Sequence, residues 1–153
     1  MDAGLSEAAE ILHADISLDP QARRASSIEV DTLTLELVER RLDEQQGALG
    51  EFFRLKPGVR EGAGFLRYDA GGFYRPHRDQ AASGVWPAAA LRRIAVVVFL
   101  NDDFDGGALR LIDPGPHLIA PRPGLLVAFP AAALHEVEPV LAGQRDVIVD
   151  WFY

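Results

Sequence analysis

The sequence predicts a mainly β protein of the α+β class, a β-sandwich or barrel with jelly rolls among the candidates, braced by helices at its N-terminal end. Three observations carry that prediction. Apolar residues recur at helical spacing up to about Phe53, short β-type runs punctuated by Gly, Pro and Asp follow from Gly62 onward, and the run Ile94 to Leu100 is apolar on both faces. A strand with no polar face belongs in the middle of a sheet, covered on one side by the preceding helix.

Along the chain, Leu5 to Ala14 reads as a short helix and the polar stretch Asp19 to Ser27 as a loop. Asp31 then has the chemistry of an N-cap, because a short carboxylate accepts the free amides of a first helical turn. Leu35, Val38, Leu42, Leu49 and Phe52 follow at helical spacing, which leaves Glu39, Arg40, Asp43 and Glu44 on the wet face. The β-type runs are GFLRY, FYRPH, RRIAVVVFLN, ALRLI, HLIA, LLVAF, LHEVEPV and DVIVDWF, with turns at Gly71-Gly72, Asp105-Gly106-Gly107, Pro114-Gly115-Pro116, Pro123-Gly124 and Ala142-Gly143. The 153 residues read as a single domain, 1–61 mainly helical support and 62–153 the β core, long enough to bury a sizeable interior.

Composition narrows the functional classes. A net charge of −8 with a single lysine, Lys56, argues against gripping a phosphate backbone, so no nucleic-acid partner is expected. With no cysteine there are no disulfides, thiolate metal sites or thiol nucleophiles, and a metal would have to use imidazole and carboxylate. The acidic start MDAGLSEAAEILHAD lacks the basic opening and apolar core of a signal peptide, and Ile94 to Leu100 is too short to span a bilayer. No membrane association and a cytoplasmic location are the expectation.

The chemistry concentrates in PHRD and ALHEV. His77 and Asp79 stand two apart, so on a strand both point to one face. His-x-Asp alone is a weak signal. His135 supplies a second imidazole from another strand, and two histidines with one carboxylate are the set that holds a non-haem ferrous ion while leaving its opposite face open. By itself His135 also fits a half-buried strand histidine bonded to backbone. Arg145 strengthens the metal reading. It opens the last β run beyond the Gly143 turn, where a guanidinium can take a carboxylate in a two-pronged pair; a dicarboxylic keto acid chelating iron at one end would suit it. Glu136, one step from His135, should point away from the metal.

The segments FLRYDAGGFYRPHRD, VFLNDDFDGGALRLI and PGLLVAFPAAALHEVEPVLAGQRDVIVDWFY together resemble the prolyl-4-hydroxylase branch of the 2-oxoglutarate, Fe(II)-dependent oxygenases, over about residues 62–153 and in the same order and spacing. The resemblance implies a double-stranded β-helix, a jelly roll, with N-terminal supporting helices. It assigns His77, Asp79 and His135 to iron and Arg145 to the C5 carboxylate of 2-oxoglutarate. It places Tyr68 and Leu109 in the cosubstrate pocket and Trp151 near the substrate mouth. Phe99 occupies a pocket position where relatives often carry a tyrosine, and a phenyl ring cannot donate the second hydrogen bond. The chain stops at Tyr153 directly after the last β run, so no C-terminal helix is expected over the substrate.

The implied reaction is hydroxylation of a peptide or protein prolyl residue, using O2 and 2-oxoglutarate and releasing succinate and CO2, with ascorbate as an optional reductant for iron. Hydroxylation of a free amino acid or other small metabolite is the alternative within the class. An inactive jelly-roll binding module is the alternative outside it, as is a cupin of another reaction type. Arg92, Arg93 and Trp86 are the candidate substrate contacts: the arginines begin a β run near the expected mouth, and Trp86 lies in the apolar entrance loop Gln80 to Leu91.

Overall fold

The computed structural model describes residues 6–8, 20–81 and 87–153. Its elements are β1 (Ser6–Ala8), β2 (Arg23–Arg24), β3 (Ser26–Ile28), α1 (Thr32–Asp43), α2 (Gln46–Phe53), β4 (Gly64–Tyr68), β5 (Phe73–His77), α3 (Pro87–Leu91), β6 (Ile94–Phe99), β7 (Asp105–Gly106), β8 (Leu109–Leu111), β9 (His117–Ile119), β10 (Leu126–Pro130), β11 (His135–Val137), β12 (Val140–Ala142) and β13 (Arg145–Phe152). A six-stranded sheet runs β1-β3-β4-β13-β6-β10, a five-stranded sheet runs β2-β5-β11-β8-β9, and β12 pairs with β7. The registered pairs are antiparallel, and strands distant in sequence lie side by side, as in a jelly roll.

Period-two alternation explains how the six-stranded sheet serves two cores. On β6, Ala95, Val97 and Phe99 join a cluster with Leu66, Tyr68, Leu109, Val137 and Val147, inside the roll. Ile94 and Val96 join Phe65, Ile148, Phe152 and Leu42 of α1 on the helical side. Apolar on both faces, β6 is an interior strand of its sheet, between β13 and β10, as the sequence predicts. The same parity on β13 turns Val147, Val149 and Trp151 toward the roll and Ile148 and Phe152 toward the helices.

Several expectations change. Asp31 does cap α1, accepting from Thr34 N at 2.9 Å, but the helix breaks at Glu44–Gln45 and α2 sets off anew. The break rotates the apolar stripe: Phe53 packs on the core, and Phe52 is 79% exposed. Asp19 to Ser27 is not only loop, because β2 and β3 extend one sheet each, and β1 lies where a helix was expected from Leu5; the rest of that stretch is outside the described residues. LHEVEPV is two strands rather than one. Pro139, lacking an amide hydrogen, ends the β11 ladder, and β12 turns off to pair with β7. Arg92 and Arg93 precede β6 instead of opening it. Among the described residues no helix is long and apolar enough to cross a membrane.

Glu39, expected on the wet face, is half-buried, and together with Asp43, which is exposed as expected, it ties α1 to the sheet. Arg60 bonds Asp43 at 2.8 Å, Glu39 at 2.6 Å and Asp150 of β13, and Glu39 also accepts from Ala63 N at 2.8 Å. Asp150 is 0% exposed, so this cation offsets the cost of its burial. Arg60→Ala is expected to lower unfolding stability by about 3–5 kcal/mol in a denaturant titration, the range for a buried charge stripped of its partner. Burial already pushes the Asp150 carboxyl upward, so the folded state favours its proton and stability declines as pH rises above the unfolded carboxylate value. Removing Arg60 should steepen that decline.

Candidate active site

His77 ends β5 and His135 opens β11, and the two are paired directly across the ladder, with ring centroids 4.2 Å apart. Asp79 follows β5 by two residues. One ligand atom from each of these three side chains lies within 4.8 Å of the others. The second nitrogen of each imidazole is already committed. His77 Nδ1 lies 2.7 Å from the Arg75 carbonyl and His135 Nδ1 lies 3.0 Å from the Ala133 carbonyl. Donation to those carbonyls puts the proton on Nδ1 and leaves each Nε2 with a free lone pair, the tautomer a metal requires.

The carboxylate is oriented in the same way. Asp79 Oδ1 is 3.2 Å from His77 Nε2 and 3.5 Å from His135 Nε2, while Oδ2 accepts from the Trp151 indole at 2.9 Å. Burial alone would raise the Asp79 pKa, but the contact with His77, the charges of both histidines and the indole bond outweigh it and hold the carboxyl well below its usual range. Burial pushes the His135 imidazole down, and Asp79 only partly opposes this. A divalent cation would take these groups as carboxylate and imidazole lone pairs, displacing any proton held between them. The three residues fit ferrous iron.

Arg145 stands at the start of β13, paired across the ladder with Tyr68 and only 1% exposed. Its guanidinium carbon lies 5.0 Å from the Tyr68 ring and 5.2 Å from the Phe99 ring. Its Nε has no hydrogen-bond partner among the described residues, and burial lowers its pKa. A buried cation with an orphaned donor is costly unless an anion completes it, and a carboxylate of 2-oxoglutarate has the right charge and shape. A cavity of about 90 Å³ is lined by the triad, by Arg145, and by Tyr68, Leu109 and Trp151. Gly107 makes room for this arrangement. At φ +62° it favours glycine, and a Cβ there would lie 3.2 Å from Arg145 Cδ.

Phe99 is fully buried beside Arg145, so the cation has one phenol and one plain phenyl ring against it. Arg92 lines the cavity and is 3% exposed, whereas Arg93 is exposed and takes no part in the lining. Trp86 lies outside the described residues. Glu136 points outward, as strand parity requires, and bonds Arg110.

Tyr74 escaped the sequence reading. Its ring stacks on His77, with centroids 3.4 Å apart and planes at 17°, and burial raises its pKa. Simple alternation would put residues three apart on opposite faces. The β5–β11 register, however, passes from His77 opposite His135 to Tyr74 opposite Val137, so β5 spends three steps where β11 spends two. That bulge returns Tyr74 to the metal face. Pro76 was the available signal, since proline within a strand marks an edge or a bulge.

Comparison with known proteins agrees with this geometry. The sequence profile of the 2OG-Fe(II) oxygenase superfamily matches residues 63–153, more than half of the chain. A PKHD-type hydroxylase of Stenotrophomonas maltophilia is 36% identical over 91 residues, covering 57% of this chain and 40% of that protein. One of Hyphomonas neptunium is 38% identical over 92 residues, covering 57% and 41%. The chain thus spans about 40% of the length of these curated relatives. Among solved structures, a Pseudomonas putida prolyl-4-hydroxylase superposes with a TM-score of 0.72 at 25% identity, over 87% of this chain and 73% of that one. A Trichoplax adhaerens prolyl hydroxylase, solved with a hypoxia inducible factor peptide fragment, shares the fold with a TM-score of 0.74 at 20% identity, over 99% and 71%. A jelly roll that brings two histidines, an aspartate and a buried arginine to the lining of one cavity could hold a non-haem iron and a keto acid. The chain belongs to the 2OG-Fe(II) oxygenase superfamily, whose metal and cosubstrate are ferrous iron and 2-oxoglutarate.

Proposed function

We propose that this chain is a 2-oxoglutarate-dependent hydroxylase acting on a prolyl residue of a peptide or protein. The observation that carries the reading is that the His77–Asp79–His135 triad and the buried Arg145, whose Nε has no hydrogen-bond partner among the described residues, line a single cavity. Relatives named as hydroxylases, and a prolyl-4-hydroxylase at 25% identity, support the prolyl acceptor. The peptide fragment bound by the Trichoplax enzyme supports a peptide substrate.

Iron and 2-oxoglutarate, when bound, supply the oxidising power: O2 is consumed, the keto acid leaves as succinate and CO2, and one oxygen enters the substrate as hydroxyl. The residues of the chain do the rest. His77, Asp79 and His135 would hold the metal. Arg145 takes the far carboxylate of the cosubstrate with Tyr68 beside it, and Leu109, Val137 and Val147 keep that pocket dry. Arg92 and Trp151, at the cavity wall, are placed to meet the acceptor.

Adding Fe(II) and 2-oxoglutarate anaerobically should produce a weak visible charge-transfer band. Aerobic incubation with a proline-containing peptide library should then give a 2-oxoglutarate-dependent gain of one oxygen by mass spectrometry, together with succinate. A protein that gives no band would overturn the oxygenase reading. Oxygen gained only by free amino acids would overturn the peptide acceptor.

A further inference from the structure

We propose that Trp151 is a positioning residue that restricts Asp79 to one-oxygen metal ligation, and that Arg92 and Glu61 hold the indole in place. The inference rests on the ligand assignment above. Asp79 has two oxygens, and the structure gives them different neighbours. Oδ1 faces both histidine Nε2 atoms, at 3.2 and 3.5 Å, while Oδ2 is taken by Trp151 Nε1 at 2.9 Å. Were both oxygens free to turn inward, the carboxylate would chelate and occupy a position that cosubstrate or O2 needs.

The indole is itself fixed. The Arg92 guanidinium carbon lies 3.6 Å from the Trp151 ring centroid, and Arg92 Nη1 donates to the Asp79 backbone carbonyl at 3.3 Å. One planar cation therefore touches both residues that share the indole–carboxylate hydrogen bond, the indole through its ring and Asp79 through its backbone carbonyl. Glu61 orients that cation, accepting from Arg92 Nε at 3.1 Å and from Nη2, and in turn receives the Tyr153 hydroxyl at 3.2 Å. The Arg92 and Glu61 side chains are 4% and 20% exposed. A pair this buried contributes little net stability over an apolar substitute, so its use is to hold a geometry. The four residues come from separate places: the segment before β4, the link between α3 and β6, the end of β13 and the second residue beyond β5. Only folding assembles them.

Co(II) is the probe, titrated calorimetrically and by its visible d–d absorption, without cosubstrate or turnover. Trp151→Phe keeps the ring and removes the N–H. It should weaken Co(II) binding roughly 10–100-fold, the usual effect of losing a hydrogen bond to a metal ligand, and should alter the d–d bands, with little change in Tm. Glu61→Gln should move affinity and spectrum in the same direction by less, and it carries the test by itself should Trp151→Phe not fold. The double variant should bind no worse than Trp151→Phe. Wild-type affinity and bands in Trp151→Phe, or fully additive losses in the double variant, would overturn the proposal. If His77→Ala binds Co(II) as tightly as wild type, the ligand assignment fails instead.

Discussion

Replacing His135 by alanine should abolish Fe(II) binding at this site and reduce hydroxylation by on the order of a thousandfold or more, since a metal centre supplies several kcal/mol of catalysis and each 1.36 kcal/mol is tenfold. Two features make the effect large. His135 is 4% exposed, so no outside group can replace it, and its Nδ1 is fixed on the Ala133 carbonyl, so Nε2 faces Asp79 without further adjustment. The variant should stay folded, because in the adjoining core only Phe129, whose ring centroid lies 4.7 Å from that of the imidazole, loses a contact, while Val137 and Leu109 keep their place in the apolar core. Loss of the anaerobic Fe(II)–2-oxoglutarate band, with circular dichroism unchanged, is the measurement. A variant that kept the band would remove His135 from the ligand set.

Arg145→Met should have two effects of opposite sign. Without cosubstrate, the substitution removes a buried guanidinium whose Nε lacks a partner among the described residues and replaces it with an apolar chain of similar length. Unfolding stability should rise, because replacing buried charge by hydrophobic residues is commonly neutral or stabilising by about 1–4 kcal/mol. Binding of 2-oxoglutarate should fall by about 10²–10³-fold, since the cosubstrate's far carboxylate would enter a dry pocket unpaired, a loss of about 2–5 kcal/mol. Cosubstrate titration and a thermal melt on the same sample test both. Phe99 makes the loss harder to recover, because the ring beside Arg145 has no hydroxyl with which to hold the carboxylate. Arg145→Lys should be intermediate, keeping charge but losing the planar fork.

What was readable in advance follows from chain periodicity. Alternation along β4, β6 and β13 is strict, and it alone sends Arg145 and Trp151 to the same face as Val147. His77 and Asp79 were legible as a pair because their spacing is local. Tyr74 was hidden, because a bulge at Pro76 changes strand parity and parity is all that a sequence pattern offers. The helix break at Glu44 was hidden for a similar reason. The apolar spacing continues nearly in phase across it, and only packing distinguishes Phe52 from Phe53. The short strands β2 and β3 carry arginines and serines with too little apolar pattern to announce strands.

The residues by themselves determined the class of protein, its metal-ligand candidates and the arginine expected to meet the cosubstrate, since these depend on chemical type and spacing along one chain. Tertiary structure alone decided how the ligands are held. The Trp151 hydrogen bond to Asp79, the Arg92–Glu61 pair behind it, and the Arg60 bridge to Asp150 join residues far apart in sequence. Such contacts form between side chains whose separation is fixed only when two sheets and their helices close on a common core, and no local pattern encodes that distance.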